Sequence, residues 1–314
     1  MSTLLDIAKA AKVENVISEA SRVHPELTVL ASFPLAGLSV RSLVYTGTSN
    51  ATGSFRNPNS GTADITETSE NREFTCYTAE PRIEEDRAIA DRHEKGSQAW
   101  MEGKSARILD LEMLAWCRQM YYGPGNNAVG FPGLVQSYDA AGMAVDATGT
   151  SAATGSSVWL VRAAAAGNDT DDGVRWRFGN GGAMKFDPVQ LLPMPDPADA
   201  TKKLMKYHTA FTAYPAFQVQ SLLTVVRIKK LTGDAGKGLT DDLINQALEL
   251  FPAGKGPNHI FMSLRSNRQL QKSRTATSPT GSPAPWPNSI MGVDGTMISI
   301  HVTEAISNTE SLTL

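Results

Sequence analysis

The sequence predicts a mixed α+β fold, and three observations carry that reading. Residues 103–123 read GKSARILDLEMLAWCRQMYYG, where Leu109, Met113, Trp116 and Met120 recur at +4, +3, +4 and mark one apolar helical stripe. Other runs alternate with period two, as Val174, Trp176 and Phe178 do against Arg175 and Arg177, or Ile298, Ile300 and Val302 near the end. No internal repeat is present, and 314 residues suffice for one elaborate domain or two ordinary ones.

Taken in order, residues 3–22 place Leu4, Ile7, Ala8, Ala11, Val16 and Ala20 at helical spacing, and His24-Pro25 ends that helix. Residues 26–43, broken by Pro34 and Gly37, read as an extended strap. From Val44 to Thr78 polar and β-branched residues alternate between turn signals at Gly47, Gly53, Asn57-Pro58 and Gly61. That texture predicts one or two long β-hairpins too poor in apolar surface to fold alone, with a mobile surface loop as the alternative.

The amphipathic helix follows, with Gly96 and Gly103 expected to divide it from the charged piece upstream and Gly123-Pro124-Gly125 to stop it. The runs at 156–167 and 174–182 are expected to pair as a ribbon with one buried face. The prolines of residues 186–197 predict a surface connection, and residues 217–231 one longer strand. Thr240 caps a helix with Leu243, Ala247 and Leu250 on its inner side, and His259 opens a short buried strand. Ser266 is read as the cap of the next helix, residues 275–289 as an irregular loop, and Met291 to Val302 as a closing hairpin around Asp294-Gly295.

Composition narrows the function. Lys plus Arg is 29 against 32 Asp plus Glu, a net charge of −3, which argues against a general nucleic-acid binder. Only 19% of residues are charged while 41% are hydrophobic, so global disorder is not expected, and the weakly ionic surface fits a chain covered by neighbours. Cys76 and Cys117 form neither a disulfide framework nor a zinc motif, and a reducing compartment is expected. Asp6 and Lys9 interrupt the N-terminal apolar residues, so neither a signal peptide nor a membrane span is read there, and a soluble chain starting near residue 1 is expected.

Tests for chemistry fail one by one. Phosphate loops would need glycine where Gln98 and Leu231 stand. The GNDTDDG turn has Gly179 where a calcium loop needs its bidentate glutamate. His24, His93, His208, His259 and His301 are scattered, there is no G-x-S-x-G elbow, and GNGG at 179–182 lacks a dinucleotide fold around it. In Arg175-Trp176-Arg177, alternation predicts a core tryptophan with solvated arginines. Arg265, Arg268, Lys272 and Arg274 make a small basic cluster fit for a contact and too small for DNA binding. No catalytic residue, cofactor or metal ligand is assigned.

The order of these elements resembles the major capsid proteins of tailed bacteriophages, the Hong Kong 97-like fold, and within them a short-tailed-phage subgroup. The likeness rests on residues 42–88 as an extended loop, 103–123 as a spine helix and FPGLV at 131–135, with 156–164, 223–231, 259–271 and 297–306 as peripheral and axial elements. It implies an N-terminal arm (1–43), an extended loop (44–83), a spine helix with peripheral domain (84–235) and an axial domain with closing strands (236–314). The helix would pack through Leu109, Met113, Trp116 and Met120.

The resemblance further implies a non-enzymatic subunit that assembles into hexamers and pentamers of an icosahedral head enclosing double-stranded DNA by non-specific contact. Implied partners are a separate scaffolding protein and a portal protein, with room for a cement or decoration protein; no membrane is involved. The chain would be made in the bacterial cytoplasm and reside in the virion. Arg56, Arg72 and Arg82 would face Glu67, Glu70 or Glu73 of another copy and set register. The family's Lys to Asn cross-link has no matching motif here. The alternatives are a tail or decoration protein, which would not need the long helix, and a soluble α/β enzyme with a dispersed site.

Overall fold

The computed structural model describes residues 24–48, 55–62, 64–135, 142–169, 171–196, 198–199, 201–276, 282–292 and 295–313. The helix expected at 3–22 and the Asp294 half of the closing turn lie outside them. The centre of the fold is a six-stranded sheet in the order β14-β15-β13-β6-β12-β5. Its strands are β5 (Ala144–Asp146), β6 (Ser156–Val161), β12 (Val225–Leu231), β13 (His259–Met262), β14 (Ser289–Met291) and β15 (Met297–Val302). Every residue of β6 is buried, because both faces are covered. Helix α4 (Asp241–Glu249) packs on β12 and β5, while Tyr121 brings the end of the long helix against Trp159 of β6 at 5.9 Å between rings.

That long helix, α3 (Gly96–Tyr122), has 27 residues and a length of about 40 Å. Leu109, Met113, Trp116 and Met120 are all buried, and so are Leu114, Cys117 and Tyr121 on a second stripe, because the helix is packed from two sides. Gly103 does not divide it. The glycine is buried in the first half of the helix, and the anchoring of that half outweighs a helix penalty of about 1 kcal/mol. Lys104 Nζ reaches Glu84 O at 2.5 Å and Glu85 Oε2 at 3.0 Å, while Trp100 Nε1 donates to Glu85 at 3.1 Å. Glu84 and Glu85 belong to β4 (Arg82–Asp86), which leads into α2 (Arg87–Ala90). Gly96, with φ +85°, opens the helix, and Gly123, with φ +50°, closes it.

A three-stranded sheet flanks α3. Strand β7 (Arg175–Phe178) lies between β1 (Ser32–Pro34), parallel, and β11 (Pro215–Gln218), antiparallel. The expected ribbon of β6 with β7 is therefore corrected: the two strands belong to different sheets, and only an isolated bridge at Ala163 and Val174 links their ends. The solvated arginines are corrected as well. Arg175 and Arg177 are 0% and 3% exposed because Asn168, Asp169 and Asp171 lie against them. Arg175 donates to the carbonyls of Asp169 and Asp171, both guanidinium groups bind the Asp169 carboxylate, and both stack on Phe33 at 5.2 and 5.3 Å. Trp176 is core, as expected, packed on Phe217 and Phe131.

Residues 186–197 are more than a connection. Strand β8 (Lys185–Phe186) and β9 (Gln190–Pro195) both pair with β10 (Lys203–Thr212), whose other edge holds β4. The prolines are tolerated on an edge strand, where a missing N–H costs no ladder bond. Residues 217–231 split into β11 and β12 around a 3₁₀ turn at Leu222–Thr224. Thr240 does cap α4, accepting from Leu243 N at 3.4 Å, but the buried side is Ile244, Ala247 and Leu248, while Leu250 is exposed. The last helix, α5 (Leu264–Ala276), starts before Ser266, and Ser263 Oγ accepts from Ser266 N at 3.2 Å as its cap. The remaining pieces are the hairpin of β2 (Ser39–Thr48) with β3 (Glu67–Thr75) and α1 (Pro25–Val29), a helical turn at the start of the expected strap, whose remainder holds β1 and the first residues of β2.

Candidate functional site

The β2–β3 hairpin is well paired internally but presents most of its side chains to solvent. Its strands pair antiparallel from Ser39 with Thr75 out to Thr48 with Glu67, with a bulge between Tyr45 and Gly47. The base is sewn to the core: Cys76 N donates to Leu38 O at 2.7 Å, Tyr77 N to Pro215 O at 3.0 Å, and Arg72 Nη1 to Gln220 O at 3.0 Å. Beyond that base the hairpin presents side chains to solvent. Leu43 is 57% exposed, Tyr45 63%, Ile65 54%, and Phe55, past the end of the described part of β2, 94%. Alternation puts Arg41, Leu43 and Tyr45 on one face with Asn71 and Glu73, and this face has no partner from the core.

The charged residues expected to set register have these positions. Arg72 pairs with Glu70 at 2.9 Å, and Glu73 pairs with Arg41 at 3.1 Å, so these are held within the chain. Arg56 Nη1 donates to Ser60 O at 3.4 Å and belongs to the exposed turn. Glu67 ends the paired part of the hairpin and is exposed, as is Arg82, which opens β4 opposite Ala210. The sequence reading missed Arg41, whose place opposite Glu73 follows only once the register is known.

Beside the hairpin base, an open groove of about 310 Å³ runs between Tyr77–Pro81, one side of α3 and the 126–131 loop. Glu112 lines it, accepting from Trp116 Nε1 at 2.9 Å, and burial pushes its carboxyl above the ordinary range. Elsewhere several polar residues are paired with one another. His24 meets Asp110 at 3.0 Å, His259 Nδ1 meets His301 Nε2 at 3.1 Å, and Arg274 binds Asp241 at 2.6 Å. Of the basic cluster, Arg265 donates to the carbonyls of Thr154, Leu231 and Asn308, and Arg268 stacks on Trp286 at 4.7 Å. Both cysteines are free thiols and buried. Among the described residues no three His, Cys, Asp or Glu side chains gather into a metal-binding group, and no helix is long and apolar enough to cross a membrane.

No protein-family profile matches the chain, and no curated protein sequence does. Solved structures do. A chain of bacteriophage Epsilon15, from a near-atomic cryo-EM structure, superposes with a TM-score of 0.65 at 16% identity over 96% of this chain and 91% of its own. The bacteriophage JBD30 capsid overlaps more loosely, with a TM-score of 0.49 at 10% identity over 95% and 98%. Full-length superposition on the Epsilon15 chain at such low identity is a statement about architecture: this polypeptide has the Hong Kong 97-like fold of phage capsid proteins.

Proposed function

We propose that the chain is the major capsid subunit of a tailed double-stranded-DNA phage, of the short-tailed kind, and that it forms hexamers and pentamers in an icosahedral head. The observation that carries this is the unpartnered hairpin on a capsid-type fold. Ordering a residue costs about 1–2 kcal/mol of backbone entropy, and the outer hairpin buries too little within the chain to offset it. Covering Leu43, Tyr45, Phe55 and Ile65, three of them already partly buried, with a neighbouring copy contributes about 1–2 kcal/mol each, so about 4 to 8 kcal/mol gross per subunit, repeated around a closed shell.

Residues 1–43 act as an arm, 44–83 as the extended loop, 84–235 as spine and peripheral region and 236–314 as the axial region. Arg56, Glu67 and Arg82, exposed at the ends of the hairpin and of β4, meet charges of other copies and set register. A net charge of −3 suits a wall that contains DNA without gripping it. A scaffolding protein guides assembly, a portal protein takes one vertex, and the function requires no catalytic step. The subunit is made in the bacterial cytoplasm and ends in the virion.

The test joins electron microscopy of the purified chain with limited proteolysis. Shells should form, and residues 44–80 should be cut in the dispersed subunit and protected in particles. A monomer under every assembly condition, or equal cleavage in both states, overturns the proposal.

A further inference from the structure

The junction between α1 and α3 contains a buried carboxyl group that forms no salt bridge among the described residues. Glu26 is 0% exposed. Its Oε1 accepts from Tyr121 Oη at 2.9 Å, while Oε2 is buried with no hydrogen-bond partner, beside Thr303 and Cys117. The group spans three parts of the chain: the segment entering the fold, the C-terminal turn of α3 and the segment leaving β15. The backbone around it is equally committed. Trp176 Nε1 donates to Glu26 O at 3.1 Å and Trp176 N to Ala31 O at 2.9 Å, and Leu35 N donates to Phe178 O at 2.8 Å.

An ionised carboxylate here would have only neutral donors, the Tyr121 and Thr303 hydroxyls and the weak Cys117 thiol, and no salt bridge in a dry site, at a cost of several kcal/mol for a buried charge. A neutral carboxylic acid fits both oxygens: Oε1 accepts from Tyr121, and Oε2–H can donate toward Thr303 Oγ1 or Cys117 Sγ. We propose that Glu26 is a protonated latch, and that loss of its proton to solvent undocks residues 24–34 from α3 and β7.

Burial pushes the Glu26 carboxyl above its ordinary value of 4.5, in the direction this geometry requires. The titratable groups facing it are Cys117 and Tyr121 on α3 and His24 on its own helix. Burial and the adjacent Glu26 push the Cys117 thiol and the Tyr121 phenol upward, so both stay neutral through the range in which a glutamate titrates. His24 is bound to Asp110.

The sign follows from proton counts. Between 4.5 and the raised value the docked state binds more protons than the undocked one, so docking weakens as pH rises through that window and levels off above it. Within the window each pH unit multiplies the undocking equilibrium by up to about tenfold.

Hydrogen exchange of the full chain, read on peptides covering residues 24–34 and corrected for intrinsic rate, tests this against Glu26→Gln. The amide keeps an acceptor for Tyr121 and places donors where Oε2–H stood. Wild type should open progressively with pH, and Glu26→Gln should stay flat with His24 and Asp110 untouched. A flat wild type, or the same slope in Glu26→Gln, overturns the proposal. Infrared spectroscopy of the wild type at neutral pH gives a reading that needs no variant. A protonated-carboxyl C=O band from a buried group supports the latch, and its absence across the range overturns it.

Discussion

Glu310 is the residue whose loss the structure prices most clearly. It is 5% exposed and engages three donors: Tyr122 Oη at 2.6 Å on Oε1, and Ser157 Oγ at 2.5 Å and Arg227 Nη2 at 3.4 Å on Oε2. Tyr122 Oη in turn accepts from Ser307 N at 2.8 Å, and Arg227 stacks on Trp159 at 5.3 Å. Glu310→Ala takes the acceptor from all three donors in a site closed to water. Breaking one side of a buried ion pair costs about 3–5 kcal/mol, and that is the loss expected here. Glu310→Gln keeps an acceptor and should cost about 1–2 kcal/mol. Tyr122→Phe removes one of the bonds to Glu310 together with the acceptor of Ser307 N, so combined with Glu310→Ala it should show a coupling of about 1–2 kcal/mol. Urea unfolding of the dispersed chain, followed by tryptophan fluorescence and far-ultraviolet circular dichroism, measures all three. A Glu310→Ala loss below about 1 kcal/mol, or strict additivity with Tyr122→Phe, would refute the reasoning.

Three further outcomes are expected. Gly133→Ala would bring a Cβ to 2.2 Å from Gly123 N and 2.7 Å from its Cα, both backbone, so it should cost about 3 kcal/mol by thermal melting, whereas Gly256→Ala, with open space around it, should cost far less. Desolvation and the neighbouring His301 hold His259 down to about 4, so both rings are neutral at pH 7; stability is fully present above the ordinary imidazole value of 6.5 and falls as pH drops toward 4. After discount for partial exposure the loss is about 1–2 kcal/mol, and His259→Asn should show a smaller drop between pH 7 and 4.5; an equal drop counts against the pair as its source. Leu43→Ser with Tyr45→Ser should leave the melting of the dispersed chain within about 0.5 kcal/mol while lowering shell yield in sedimentation, and unchanged yield would separate that hairpin face from assembly.

Features with one dominant local cause were legible in the residues themselves. The α3 stripe follows from spacing, the β2–β3 hairpin from alternation between turn residues, and Thr240 from cap chemistry. What failed were inferences that needed to know what lies on the far side of an element. Alternation around Trp176 predicts one buried face because a strand with arginines normally shows them to water. Here Phe33, Gln218, Asn168, Asp169 and Asp171 cover that second face, and Asp169 with the carbonyls of Asp169 and Asp171 binds the guanidinium groups. Strand β10 went unread because Lys203, Lys206 and His208 break its apolar rhythm; its place is set by β4 and β9 on either edge, which no local pattern contains. Gly103 looked like a breaker because helix propensity is local, while the ties from Trp100 and Lys104 to Glu85 are not. The exposed hairpin face was foreseeable in kind, and its ion pairs were not, since Arg41 and Glu73 are 32 positions apart.

The bond from Arg227 to Glu310 also dictates a timetable. On the ribosome the arginine is made 83 residues before the glutamate, an interval of about 4 to 17 s at ordinary elongation rates of about 5–20 residues per second. Throughout that wait the strand bearing Arg227 can pair with β6 but must leave its guanidinium without this carboxylate, so the central sheet cannot close dry around it. A nascent polypeptide of this kind stays loosely packed until the segment carrying Glu310 emerges, and slow translation of the interval between the two residues should prolong its need for chaperones.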